Sequence, residues 1–91
     1  MIYVDPAIWK ARGRTWAHLA SDASYDELHV FAEQLGLPRR AFHNDHYDVP
    51  AELRDDALAL GAQPIPARDL VRKLQQSGLR HRKRRELTRD V

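Results

Sequence analysis

The sequence predicts an α/β fold: a small single domain with a short, mostly parallel sheet of three or four strands and about three helices. Three observations predict it. Short β-favouring runs alternate with segments of helical periodicity, the order that builds parallel sheets. Each helical segment is apolar along one stripe only, so it packs one face and leaves the other to water. The chain has 91 residues and no cysteine, which limits it to one modest core without disulfides, thiolate metal sites or a cysteine nucleophile.

Ile2-Tyr3-Val4 is the first strand, ended by Asp5-Pro6, so its last position presents a carboxylate. Residues 7–17 carry Trp9, Arg12, Gly13, Arg14 and Trp16 without clear periodicity. They read as a loop leading into a second short strand near residues 16–20. Ser24 and Glu27 have the spacing of a capping box, and Leu28, Phe31, Ala32 and Leu35 follow at i, i+3, i+4, i+7. With Gly36 as the stop and Pro38 beyond it, this predicts a helix over 25–35. Arg40-Ala41-Phe42 reads as a short strand. A second helix is expected from Pro50, with Leu53, Ala57 and Leu60 inward and Gly61 as its end. Residues 62–66, interrupted by Pro64 and Pro66, suit an edge strand. A third helix is expected over 67–77, with Leu70, Val71 and Leu74 inward and Gly78 as the stop. The domain then spans 1–79, and 80–91 form a basic tail.

The net charge of +2 conceals an asymmetry. From Arg80 onward six basic side chains face two acidic ones, which leaves the body at −2. A sequence-blind attraction for polyanions therefore belongs to Arg80, Arg82, Lys83, Arg84 and Arg85. No signal-peptide pattern and no apolar run of membrane-spanning length occurs, so a cytoplasmic protein without a membrane partner is expected.

The densest chemistry lies in His43-Asn44-Asp45-His46-Tyr47-Asp48. His46 and Asp48, two apart on extended chain, point to the same side and suit a divalent ion or a carboxylate-oriented general base. The alternative is that Asp48 caps the second helix. His18 and Asp22, four apart, share a face in either a helix or a strand, as a functional pair or as a structural hydrogen bond. His29 flanks the apolar stripe of the first helix, which suits a packing residue. Arg12, Gly13 and Arg14 suit a phosphate or carboxylate, or else form an ordinary solvated loop. Trp9 and Trp16 stack a base or fill the core. In a parallel sheet Asp5, the 43–48 cluster, and Arg68 with Asp69 would all follow strand ends and meet at one edge.

Several of these motifs in order carry a resemblance. Ile2-Tyr3-Val4-Asp5, Gly13-Arg14, Trp16-Ala17-His18-Leu19 with Asp22, Glu27-Leu28-His29, Phe31-Ala32, Leu35-Gly36, His46-Tyr47-Asp48, Ala57 and Leu60-Gly61-Ala62 are similar to a small bacterial and phage family, domain of unknown function 4031. Many phage members read Val-Asp-Asp at the start, and this chain has Pro6 at the second acidic position. The resemblance covers residues 1–79, carries no activity, and nominates Asp5, Arg14, His18, Asp22, His29, His46 and Asp48 as matching polar positions.

The expectation is a His/Asp site that handles a phosphate-bearing ligand, nucleotide or nucleic acid, by metal-dependent hydrolysis. Asp5, His46 and Asp48 would hold the ion, with zinc, manganese or iron favoured by the imidazoles. His18, His46 and Asp48 would be catalytic, and Arg14, Asp22 and His29 would line the ligand. The rival expectation is a non-enzymatic module that binds nucleic acid or protein through the tail.

Overall fold

The helices form where the apolar spacing puts them. In the computed structural model, which describes residues 1–80, α1 runs Tyr25–Leu35 and α3 Ala67–Ser77. Ser24 Oγ accepts the N–H of Glu27 at 3.0 Å, as a capping box requires. Glu27 does not close the box on Ser24. Its carboxylate accepts the Ser21 hydroxyl instead, and Ser21 Oγ accepts the N–H groups of Ala23 and Ser24. Gly36 and Gly78 end their helices in the left-handed region, at φ 89° and 82°.

The second helix starts later than expected. Pro50 ends a strand, a 3-10 turn covers Ala51–Leu53, and α2 is only Arg54–Ala59. Ala57 is its buried residue, and Leu60 is exposed.

The sheet has six strands: β1 Ile2–Val4, β2 Trp9–Ala11, β3 Arg14–Ser21, β4 Phe42–His43, β5 His46–Pro50 and β6 Gln63–Pro64. The order is β4-β5-β3-β1-β6, with β2 also on β3. This corrects the mostly parallel sheet of three or four strands. Only β1 and β6 pair in parallel; the other four pairings are antiparallel. The reason is local. Arg12 and Gly13, at φ 52° and 74°, form the two-residue turn between β2 and β3, and Asn44-Asp45 joins β4 to β5. Positive φ at both central residues marks a type I′ turn, and so short a link joins antiparallel strands only. The segment read as a loop is a hairpin, and β3 is the eight-residue centre of the sheet.

β1 and β2 lie end to end on the same edge of β3: Val4 pairs with Leu19 and Trp9 with Trp16. The chain between them bulges out, and Asp5 lands opposite His18, donating its N–H to the His18 carbonyl at 3.1 Å.

One sheet face carries the main core, where Val4, Leu19, Tyr47 and Val49 pack with Leu28, Phe31, Ala32 and Ala57. Across the other face lies α3, whose Leu70 and Leu74 pack on Ala20 with Tyr3, Ile65 and Leu79 alongside. Strand side chains alternate between faces, so Trp16, His18, His46 and Asp48 share the α3 side of the sheet. Leu70 and Leu74 pack on Ala20 at the end of β3, and the remainder of this face carries the polar groups. Among the described residues no helix is long and apolar enough to cross a membrane.

Candidate metal centre

Antiparallel register gathers the donors. His18 of β3 pairs with Asp48 of β5, and His46 lies two residues before Asp48 on the same face. One donor atom from each of His18, His46 and Asp48 lies within 4.8 Å of the other two. Their side chains are 26%, 19% and 23% exposed, so the group faces solvent from a shallow recess.

Each imidazole is held from behind by a buried carboxylate. Asp5, 1% exposed, accepts the His18 backbone N–H at 2.6 Å and His18 Nδ1 at 2.8 Å, and its Oδ2 also accepts Trp9 Nε1 at 3.2 Å. Arg54 Nε donates to the Asp5 carbonyl at 2.8 Å, which ties α2 to the same spot. Asp45, 7% exposed at the tip of the β4–β5 hairpin, takes His46 Nδ1 at 2.8 Å. Arg80, just beyond α3, donates to both Asp45 oxygens, at 2.7 and 3.3 Å. Burial alone would raise the Asp45 pKa, but the hydrogen bonds from Arg80 and His46 outweigh it and hold the carboxyl below its ordinary value.

An ionised carboxylate only accepts, so each ring donates from Nδ1 and a neutral ring keeps its lone pair on Nε2. His46 Nε2 lies 3.4 Å from Asp48 Oδ1, and the rings of His18 and His46 meet edge-on with centroids 4.9 Å apart. Ligands bound at about 2.0–2.2 Å sit roughly 3–3.5 Å from one another, so side-chain rotations that draw the donors together by about 1 Å would close the site. Two imidazoles and a carboxylate suit zinc, manganese or iron, and three donors on one side leave coordination positions open.

His43, not among the expected site residues, belongs to the group. Its Nε2 is 3.3 Å from Asp48 Oδ2, so Asp48 lies between two imidazoles. The clue in the sequence was Asn44-Asp45, which as a hairpin turn makes His43 the partner of His46.

Other expected residues are placed elsewhere. Asp5 is not grouped with the donors as a metal ligand: both its oxygens are taken by His18 and Trp9, so it stands behind a ligand instead. Asp48 caps no helix, being paired inside β5. Asp22 accepts from the Tyr3 hydroxyl and the Met1 amino group, both at 3.2 Å, beyond the far end of β3. His29 is on the opposite sheet face, where its Nδ1 meets the Tyr47 hydroxyl at 2.8 Å against the Phe42 ring. Burial, followed by the nearby Arg39, lowers its pKa against the weaker pull of Asp26. Asp69 pairs with Arg72 on the α3 surface, away from any strand-end cluster. Arg80 is no free member of a nucleic-acid tail, because its guanidinium is committed to Asp45. Arg82, Lys83, Arg84 and Arg85 lie outside the described residues.

Beside the donors opens a cleft of about 510 Å³, which shares His43 and Asp48 with them and has Arg12, Arg14 and Arg40 on its walls. The guanidinium carbons of Arg12 and Arg14 lie 4.7 and 5.3 Å from the Trp16 ring centroid, and Arg14 also pairs with Glu52.

Comparison with known proteins identifies a family and nothing more. No curated protein and no solved structure matches the chain. The model of the family described as protein of unknown function (DUF4031) matches residues 2–77, most of the 91-residue chain, and the chain belongs to that family.

Proposed function

We propose that the protein is a metal-dependent hydrolase of a phosphate-bearing ligand, nucleotide or nucleic acid, with His18, His46 and Asp48 as the ligands of one divalent ion. One observation carries the reading: three donors of metal-binding type converge on an open face, and both imidazoles are backed by a buried carboxylate. A pair of buried carboxylates that orient two neighbouring histidines is costly without a purpose, and it is the usual outer shell of a histidine metal site.

When bound, the ion would lower the pKa of a coordinated water and so supply hydroxide near neutral pH. Asp5 and Asp45, by accepting from Nδ1 of each ring, would leave Nε2 free to hold the ion and raise its basicity. His43, its Nε2 3.3 Å from Asp48 and its side chain more than half exposed, is placed to take the proton of the attacking water or to return one to the leaving group. Water oxygen would bond to phosphorus as the ester P–O bond breaks, and the leaving alkoxide would take that proton. The same donor set serves iron in oxygen chemistry, but the arginines beside it favour a phosphoryl substrate.

Thermal unfolding with Zn²⁺, Mn²⁺ or Fe²⁺ tests the reading. At 100 times Kd a bound ion stabilises by about 2.7 kcal/mol, which for a domain this size raises Tm by roughly 10–20 °C. His18→Ala and Asp48→Asn should abolish the shift. Metal-dependent hydrolysis of bis-(p-nitrophenyl) phosphate should vanish with it. The reading fails if no ion shifts the melt, or if both variants bind metal as the parent does.

A further inference from the structure

We infer that the cleft beside the donors is a mononucleotide site, in which Arg12 and Arg40 hold the phosphate and the nucleoside lies against an apolar wall. The inference deepens the proposed function by naming the substrate class, but its binding contacts do not need the metal.

The charge on the cleft is one-sided. Three guanidiniums line it, with Asp48 as its carboxylate. Among the described residues Arg12 and Arg40 make no ion pair, and the pairing of Arg14 with Glu52 is a solvent-exposed one that a phosphate readily displaces. Guanidiniums are fork donors matched to phosphate oxygens. Trp16, Leu37, Pro38, Ala41 and Pro50 supply the apolar part of the wall. A cleft of about 510 Å³ suits one nucleotide and is too small for a folded partner. His43 and Asp48 belong to both places, so a phosphate held by the arginines lies next to the metal donors.

Arg12 adds an independent observation. It sits at φ 52°, in the left-handed region where glycine or asparagine is the easy choice for a type I′ turn. A long cation at that position is locally strained, and strain of this kind concentrates at ligand sites. Asn-Gly is the favoured pair for this turn, so Arg12→Asn removes the cation without harming the hairpin.

The experiment is calorimetric titration of the full-length chain with AMP, adenosine, ribose 5-phosphate and inorganic phosphate, all in chelator. AMP should bind at least tenfold more tightly than adenosine or ribose 5-phosphate. Arg40→Gln and Arg12→Asn should each weaken AMP at least fivefold, while the Arg12→Asn melt does not fall. Asp48→Asn should strengthen AMP in chelator, because it removes a carboxylate from the wall of the cleft. AMP binding that is absent, or unchanged in both arginine variants, overturns the inference. Ribose 5-phosphate binding as tightly as AMP overturns the nucleoside half. Loss of the metal shift with AMP binding intact defeats the proposed hydrolase alone; loss of AMP binding with the metal shift intact defeats the nucleotide site alone.

Discussion

Asp5→Asn isolates the device on which the centre rests. The carboxylate accepts three N–H groups: the His18 backbone on Oδ1, and His18 Nδ1 and Trp9 Nε1 on Oδ2. Asparagine has one acceptor oxygen. If that oxygen serves the backbone, at 2.6 Å the shorter contact, the amide NH₂ confronts both ring donors. The His18 proton then moves to Nε2, which removes the lone pair a metal needs, or the ring turns away. Two hydrogen bonds to a charged group are lost, each worth about 1.5–3 kcal/mol. Trp9 and His18 are partly exposed, so water recovers part of this, and a net loss of about 2–3 kcal/mol is expected. That lowers Tm by roughly 8–24 °C in a domain of this size. Zinc affinity should fall about 100-fold, the upper end for loss of an outer-shell carboxylate, because here the tautomer inverts as well. Competition against a colorimetric zinc chelator, run beside urea unfolding, reads both quantities. His18→Gln separates them: it should lose the metal and keep the fold, since its side chain faces the open recess. A folded Asp5→Asn protein that binds zinc within threefold of the parent would refute the reasoning, because Asp5 would then not orient His18.

Other consequences follow from the same contacts. Arg80→Ala strips a buried carboxylate of its guanidinium and should cost about 1–3 kcal/mol at pH 7 by urea unfolding. Because Asp45 is held below its ordinary value in the folded state, that contribution is present above the unfolded carboxylate pKa near pH 4. It disappears as the pH falls through the lowered folded value, so the gap between parent and variant should close in acid. His29 behaves in the same direction for a different reason. Its burial lowers the folded pKa, so the unfolded chain binds the proton more readily, and stability should decline as the pH drops below about 6.5. His29→Gln should flatten that slope between pH 5 and 7 in chelator and leave zinc affinity unchanged, since His29 lies across the sheet from the donors. Leu28→Ala, in the main core, should cost about 2–5 kcal/mol without changing the metal-dependent shift that remains.

The helices were legible because their signals are local. The spacing of Leu28, Phe31, Ala32 and Leu35 repeats the pitch of a helix, and Ser24 and Gly36 act within one turn of its ends. The extended segments were legible in part. Ile2-Tyr3-Val4 and the proline-interrupted edge strand form as expected, but the hairpin at Arg12-Gly13 did not declare itself. Arginine is a poor mark of a type I′ turn, and Arg14-Thr15-Trp16-Ala17 on its far side does not alternate in hydrophobicity. Missing that turn inverted the direction of β3 and turned an antiparallel sheet into a parallel one.

The identities of the reactive groups, and the fact that His46 and Asp48 share a side, are properties of the sequence alone, because side chains on extended chain repeat every two residues. Which of those groups meet is not. His18 reaches Asp48 across thirty residues through strand register, Asp5 reaches His18 because a bulge between β1 and β2 faces it there, and Arg80 reaches Asp45 from the end of α3. His29, with the same chemistry, is carried to the opposite face by its helix. Local preferences decide which segments coil or extend. Pairing between distant segments is decided only when the core closes, since one residue of slippage of β5 against β3 would send His46 and Asp48 to the face opposite His18.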